Sequence, residues 1–276
     1  MPEMPEVNIV IKALKEVVLN KQILKVQIKE NKMLRNSNPD EFNEFLNNES
    51  ILNIDQLGKY IIFELSNHKY LISHLAMTGK YFFYKNKYFP KIHDHIIFYL
   101  NDNNFLVFND YRKFGFFYLK TKDTLKNTNP LNKLGFMPNE ALKNIDFLFN
   151  KIQKIKKPIK TLILDQTFLL GWGNIYADET LYKCKISPFR PANSLTKQEL
   201  INIISIGNEI MLDSISKGGS SVKTYTSLND QKGSYQNYLK VYGKDGQKCF
   251  ECNSIIIKTN LNGRGTNYCP NCQKEN

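Results

Sequence analysis

The sequence lacks any run of eighteen apolar residues, the length needed to cross a membrane as a helix. Its opening, Met1-Pro2-Glu3, also lacks the basic and apolar segments of a secretory signal peptide. We therefore expect no membrane partner and a cytoplasmic location. Because cytosolic thiols stay reduced, we do not expect the five cysteines to form disulfides.

Acidic residues are scarce relative to basic ones. Lys plus Arg number 38 against 26 Asp plus Glu, which gives a net charge of +12. A polyanion such as a nucleic acid is the simplest partner for this charge, although a merely basic protein remains an alternative. With 276 residues and 42% hydrophobic content, the chain can bury a core without disulfides and divide into two or three domains.

The apolar pattern changes its period along the chain. From Val7 to Val18 the apolar residues follow helical spacing, whereas residues 22 to 120 contain short alternating runs separated by turns. After about residue 125 the pattern becomes helical again, and it predicts helices over 139–155, 159–168, 174–184 and 197–217. We expect an α+β protein: a β-sandwich with a leading helix, then a helical domain. The expected boundaries are 1–130, 131–238 and 239–276.

Four of the five cysteines form two Cys-x-x-Cys pairs near the C-terminus. Cys249 and Cys252 are separated by sixteen residues from Cys269 and Cys272. This spacing is typical of a hairpin that holds one Zn²⁺ through four thiolates. Four sulfur ligands leave no open position for water, so we expect a structural zinc and a catalytic site elsewhere. Cys184 lies in a helical stretch, where a buried, unreactive role is expected.

Six segments in separate parts of the chain carry further motifs. They are Met1-Pro2-Glu3-Met4-Pro5-Glu6, Gly58-Lys59-Tyr60, His74-Leu75-Ala76-Met77-Thr78-Gly79, Asp110-Tyr111-Arg112-Lys113-Phe114-Gly115, Gly171-Trp172-Gly173-Asn174-Ile175-Tyr176-Ala177-Asp178-Glu179 and the terminal cysteines. In this order they resemble the formamidopyrimidine-DNA glycosylase family over essentially the whole chain. The resemblance implies a β-sandwich, a helix-two-turns-helix domain and a zinc hairpin, with damaged double-stranded DNA bound between them. We expect a monomer.

The resemblance implies a base-excision enzyme that removes oxidised purines and then cuts the strand. Removal of Met1 would free the secondary amine of Pro2, which could attack C1′ of a damaged nucleoside. A terminal amine with a pKa of about 8 is roughly one-tenth free base at pH 7, far more than a lysine. Glu3 is expected to act as general acid, with Glu6 in support. The resemblance assigns Lys59 to β-elimination and Arg264 to δ-elimination, although both residue types also suit phosphate binding.

An enzyme that acts on a base inside a duplex must flip the nucleotide out and fill the gap. The resemblance gives Met77, Arg112 and Phe114 this wedge role, although Met77 and Phe114 could instead belong to the core.

Four other residues are expected to contact DNA. By resemblance, His93 is a DNA contact, and Asn174 begins a helix whose N-terminus favours a phosphate. Lys157 and Lys160 precede that helix and would add phosphate contacts, or form an ordinary solvated cluster. The resemblance also implies that the loop from Gly218 to Tyr225 covers the flipped base.

Some positions depart from the family pattern. Tyr111 stands where proline is usual, and Lys113 replaces an arginine, which removes bidentate phosphate geometry.

Two alternative functions stay open. An endonuclease VIII-like glycosylase for oxidised pyrimidines would share Pro2, Glu3 and Lys59, although Met4 favours the purine branch. A non-catalytic zinc-ribbon DNA-binding protein would explain the charge and the cysteines but not the Pro2-Glu3 start.

Overall fold

A computed structural model describes residues 1–220, 228–230 and 232–274. Contacts divide the chain into two compact units, Met1–Asn132 with Gly218–Ser234, and Lys133–Lys217 with Tyr235–Asn276. The described residues of the segment 218–234 thus group with the first unit, whereas the sequence assigned this segment to the helical domain. Within the described part of the chain, no helix is both long and apolar enough to span a membrane.

The first unit begins with helix α1, which buries Val7, Val10 and Leu14 against the sheets. Two four-stranded antiparallel sheets follow, in the orders β1-β6-β7-β5 and β2-β3-β4-β8. Their inward side chains form one apolar core with the helix. The elements are α1 Met4–Val18, β1 Ile23–Ile28, α2 Pro39–Leu46, β2 Ile51–Leu57, β3 Tyr60–Leu65, β4 Lys69–His74, β5 Gly79–Lys85, β6 Asp94–Leu100, β7 Asn104–Asp110, β8 Phe116–Thr121 and α3 Lys122–Leu125.

The second unit is helical and ends in a two-stranded hairpin. Its elements are α4 Pro138–Lys143, α5 Ile145–Ile152, α6 Ile159–Ile163, α7 Asn174–Lys183, α8 Lys197–Ser216, β9 Ile257–Leu261 and β10 Arg264–Tyr268. Helix α8 begins at Thr196, whose side chain accepts the Glu199 backbone N–H in a capping box. Buried Trp172 lies directly against Gly207 of α8, where an added Cβ would come within 2.6 Å of the indole.

Two expected helices are shorter than the sequence indicated. The predicted helix 139–155 is two helices that meet at Asn144, which has a non-helical φ of −110° and ψ of 28°. The predicted helix 159–168 ends as α6 at Ile163. Helix α2 was not predicted, although its Asn38-Pro39-Asp40-Glu41 start forms a complete capping box. The α+β sandwich and the helical region after it are as expected.

Candidate functional site

The residues from Pro2 to Glu6 are buried and held by a carboxylate. Pro2, Glu3 and Glu6 are all buried at the beginning of α1. The Glu3 backbone N–H donates to one Glu6 carboxylate oxygen at 2.9 Å, and the Ser220 N–H donates to the other at 2.9 Å. The Glu6 carboxylate therefore fixes the backbone of Glu3, next to Pro2, and the backbone of Ser220, which follows Gly219.

The turn that carries Lys59 is tied to the same helix start. Gly58 adopts a positive φ of 58° in the β2–β3 turn, which brings Lys59 into a buried position. The Gln56 amide donates to the carbonyl oxygens of Met4 at 2.7 Å and Gly58 at 2.9 Å. Asn8 donates to the Gln56 carbonyl at 2.9 Å and fixes the orientation of the amide. Gln56 thus joins the first residue of α1, which follows Glu3, to the turn residue that precedes Lys59, a link that sequence reasoning missed.

His74 adds a neutral imidazole near this turn. It lies opposite Tyr60 in the β3–β4 ladder and stacks on Phe116 with ring centroids 4.8 Å apart. Burial, assisted by the charge of Lys59, lowers the pKa of His74 to about 4. Its Nδ1 accepts the Ala76 N–H at 3.0 Å, so Nε2 carries the hydrogen at neutral pH. His74 therefore supplies a neutral imidazole whose hydrogen lies on Nε2, a feature that sequence reasoning did not assign.

The three expected wedge residues lie together. An Arg112 guanidinium nitrogen is 3.0 Å from the Met77 sulfur, and its central carbon is 4.7 Å from the centre of the Phe114 ring. Met77 and Phe114 are exposed rather than part of the core. Buried Asp110 holds the loop below them by accepting from the backbone N–H groups of Arg112 at 3.1 Å and Gly115 at 2.7 Å. The three side chains form an exposed cluster that suits insertion between bases.

In the second unit, the hairpin that carries Arg264 is held from α6 and α7. Arg264 is exposed at the start of β10, after Gly263 with a φ of 77°. Asn174 donates to the Gly265 carbonyl at 2.7 Å, and Lys160 donates to the same oxygen at 3.0 Å. These two donors therefore fix the residue that follows Arg264.

Lys160 differs from the sequence expectation. Its side chain is fully buried and forms an ion pair with Asp178 at 2.7 Å, so its ammonium does not face a phosphate in this structure. Helical periodicity could not show this, because the partners lie on α7 and β10. Lys157, in contrast, is exposed as expected.

The four clustered cysteines converge as their spacing predicts. All four sulfurs lie within 4.8 Å of one another, with Cys249 to Cys272 at 3.8 Å and Cys252 to Cys269 at 3.4 Å. A tetrahedral zinc with bonds of about 2.3 Å requires sulfur separations of about 3.8 Å. The donor set and spacing therefore fit a structural zinc ion. Burial raises the pKa of the separate Cys184 thiol to about 12, which agrees with an unreactive role.

Comparisons with known proteins cover almost the whole chain. The formamidopyrimidine-DNA glycosylase N-terminal domain matches residues 1–117, its H2TH domain matches residues 134–226, and the zinc finger found in FPG and IleRS matches residues 246–274. The formamidopyrimidine-DNA glycosylase of Mycoplasma mobile is 40% identical over 276 residues and covers 100% of both chains. This chain belongs to the formamidopyrimidine-DNA glycosylase family.

Solved structures of this glycosylase family agree with the fold. A mutant form of the Lactococcus lactis enzyme, in complex with DNA containing Fapy-dG, matches with a TM-score of 0.92 and 34% identity, covering 99% of this chain and 100% of that one. The wild-type L. lactis enzyme, in complex with DNA containing an oxidised pyrimidine, matches with a TM-score of 0.90 and 33% identity at the same coverage. These matches confirm the fold class and the family.

Membership of the glycosylase family confirms that the chain is an enzyme, a DNA glycosylase with abasic-site lyase activity. The non-catalytic zinc-ribbon alternative is therefore wrong.

Of the remaining predicted positions, His93 lies half-buried just before β6, with its ring 4.9 Å from that of Tyr111. Of the predicted loop from Gly218 to Tyr225, residues 221–225 lie outside the described part of the chain.

Proposed function

We propose that this enzyme excises oxidised purines, such as 8-oxoguanine and formamidopyrimidines, from duplex DNA and then cleaves the strand by β,δ-elimination. The contact that supports this most directly is the Gln56 amide, which joins the start of α1 to the turn that presents Lys59. The two joined segments carry the proline nitrogen, a carboxyl group and an ammonium group. Those are the groups that Schiff-base glycosylase chemistry needs.

The nucleophile is the nitrogen of Pro2. While Met1 precedes it, this nitrogen is an amide without a free electron pair, so Met1 must be removed first. The free amine then attacks C1′, the bond from C1′ to the base breaks, and the base leaves as an anion that takes up a proton. Glu3 supplies a proton to the sugar ring oxygen as the ring opens and the iminium ion forms.

Strand cleavage follows from the iminium ion. Loss of a proton from C2′ breaks the bond from C3′ to oxygen, and Lys59 protonates the leaving phosphate. A second elimination begins with proton loss from C4′ and breaks the bond from C5′ to oxygen, with Arg264 as the acid or phosphate contact. Water then hydrolyses the iminium ion and returns the amine of Pro2.

Damaged double-stranded DNA is the partner, and the enzyme acts as a monomer in the cytoplasm. Met77, Arg112 and Phe114 fill the space of the flipped nucleotide, and the guanidinium group faces the orphaned base. His93 contacts the DNA, and Lys157 and Asn174 contact the phosphate backbone. Lys160 acts from its buried position by holding the Arg264 hairpin.

One zinc ion is held by Cys249, Cys252, Cys269 and Cys272. It supplies no reaction step; when bound, it stabilises the hairpin by joining four thiolates. Gln273 secures the same hairpin, because its side chain accepts the Cys269 N–H at 2.9 Å and donates to the Ile186 carbonyl at 3.0 Å.

Oxidised pyrimidines remain a second candidate substrate class. The L. lactis relative has been crystallised with DNA that contains one, so the fold accommodates such a lesion in that protein. Met4 favours purines here, because pyrimidine-specific relatives usually carry glycine at that position.

Borohydride trapping on matched duplexes with 8-oxoguanine, formamidopyrimidine or an oxidised pyrimidine tests the assignment. Intact mass must first show that Met1 is absent. We expect a covalent adduct on Pro2 and faster trapping on the purine lesions. Faster trapping on the pyrimidine lesion would overturn the purine assignment, and the absence of any adduct would overturn the Schiff-base chemistry.

A further inference from the structure

Two large apolar side chains face solvent beside the wedge. Ile92 is 87% exposed and Tyr111 is 71% exposed. The Asp110 N–H donates to the His93 carbonyl at 3.0 Å, and Ile92 and Tyr111 are the residues just outside this bonded pair. The Tyr111 ring packs edge to face on the His93 ring at 4.9 Å. Exposed apolar side chains that are grouped on a folded surface mark candidate binding sites, and these two residues flank one hydrogen-bonded pair.

Hydrogen bonds to a buried carboxylate hold the segment that carries Ile92. Buried Asp94 accepts from the Tyr88 hydroxyl at 2.8 Å, from the Lys91 N–H at 2.7 Å and from the Asn109 side chain at 2.7 Å. Three hydrogen bonds to one carboxylate fix the backbone before Ile92. A contact surface that is already ordered loses little conformational entropy when it binds.

The pair is continuous with the proposed DNA interface. Tyr111 directly precedes Arg112, whose N–H is fixed by Asp110, and the guanidinium of Arg112 lies on Phe114. The segment that ends at Ile92 also carries Lys87 and Lys91, both exposed. Apolar side chains next to lysines match the sugar edges and phosphates of a nucleic acid better than they match an apolar protein surface.

We propose that Ile92 and Tyr111 form a second apolar contact with duplex DNA, on the nucleotides that flank the wedge. Ile92 packs on deoxyribose, and Tyr111 packs its ring in the same way while its hydroxyl donates to a phosphate oxygen. Tyr111 also positions the His93 ring. This inference rests on the proposed function and extends it, since proline is the family's usual residue at position 111.

The test measures affinity for a duplex that contains a stable abasic analogue. We expect Tyr111→Ala to weaken binding about tenfold, as removal of one central aromatic contact does. Tyr111→Phe should retain most of the affinity, and Ile92→Ala should lose about threefold. Leu52→Ala is the matched control, because Leu52 is 51% exposed on strand β2 of the other sheet. Its affinity should equal that of the unaltered enzyme.

Two further measurements separate this inference from the function on which it rests. Hydroxyl-radical footprinting should show lost protection of the flanking nucleotides in Tyr111→Ala. Borohydride trapping of an abasic oligonucleotide by the Leu52→Ala control should equal that of the unaltered enzyme, because Leu52 lies outside the proposed contacts. Duplex affinity and footprints in both variants equal to those of the unaltered enzyme would overturn the inference. Failure of the unaltered, Met1-free enzyme to trap any abasic DNA would instead overturn the proposed chemistry.

Discussion

The ammonium group of Lys160 lies 2.7 Å from a carboxylate oxygen of Asp178, and neither side chain reaches solvent. Lys160 also donates to the Gly265 carbonyl at 3.0 Å, while Asp178 accepts the Asn267 N–H at 2.9 Å. The two partners of one ion pair thus hold β10 at two points. The pair links α6 and α7 to the strand that begins with Arg264.

We predict that Lys160→Met lowers the free energy of unfolding by about 3–5 kcal/mol, because it leaves the Asp178 carboxylate buried without its partner. Urea unfolding measures this change. The double variant Lys160→Met/Asp178→Leu should be less destabilised, since no isolated charge remains. Lys157→Met is the control at an exposed lysine, and its stability should change by less than about 0.5 kcal/mol. If the Lys160→Met enzyme is as stable as the unaltered enzyme and loses only DNA affinity, then Lys160 contacts a phosphate directly, as the sequence predicted.

Arg112→Ala and Phe114→Ala should slow excision from duplexes by about tenfold or more, while lyase activity on a single-stranded abasic site changes little. A wedge is needed only where a paired, stacked base must be expelled. Single-turnover rates on the two substrates give the comparison. Phe147→Ala provides the control, because Phe147 is 58% exposed on α5 and Phe114 is 49% exposed. Equal losses on both substrates would mean that the wedge residues support the fold instead.

The nucleophile can be located by peptide mapping of the borohydride adduct, which we expect on Pro2 in protein without Met1. Pro2→Gly keeps a terminal amine and should trap at a changed rate, whereas retained Met1 should abolish trapping. Glu3→Gln should slow removal of the base, while an abasic site should still be trapped and nicked because no base has to leave. An adduct on Lys59 in Met1-free protein would show that Lys59, and not Pro2, is the attacking amine.

Loss of the metal should remove DNA binding before it unfolds the sandwich, because a four-cysteine site stabilises mainly its own hairpin. Cys252→Ser or a chelator should lower bound zinc and duplex affinity together, with little change in the far-ultraviolet circular dichroism of the strands. Cys184→Ser should retain full zinc content, since Cys184 lies outside the cluster. Unchanged affinity in metal-free protein would show that the hairpin does not present Arg264 to DNA.

His74 should make stability depend on pH. Its pKa in the folded chain is about 4, below the ordinary value of 6.5, so the unfolded chain binds the proton first as pH falls. Stability is therefore complete above about pH 6.5 and is lost between pH 6.5 and 4, by about 2 kcal/mol at pH 5. Urea titrations across this range should show a smaller slope for His74→Gln.

The sequence predicted those elements that depend on residues close to one another in the chain. Strands β1 to β7 all fall within residues 22–120, where alternating runs were expected, and the Cys-x-x-Cys spacing anticipated the convergence of the four sulfurs. Helix α2 was missed although its Asn38 capping box is visible in the sequence, because residues 22 to 120 were assigned to strands as a whole. The break at Asn144 also has no strong local marker, since asparagine is tolerated within helices.

The contacts that build the site depend on residues far apart in sequence. Gln56 acts on Met4 across 52 positions, and Lys160 acts on Gly265 across 105. No periodicity encodes such pairs, so Gln56 was overlooked and Lys160 was given a surface role. The wedge was predicted only because its motifs resemble those of a known family; by composition alone, Met77 and Phe114 suit a core.

The position of the one tryptophan separates the two units spectroscopically. Trp172 is buried against Gly207 in the second unit, and the first unit has no indole group. Emission from tryptophan, excited at wavelengths where tyrosine absorbs little, therefore follows the α7 and α8 region alone, while the strand signal in circular dichroism comes mainly from the sandwich. When zinc is withdrawn or urea is added, two curves that coincide would mean that the units melt as one. If the curves separate, their midpoints show which unit unfolds first, and no added label is needed.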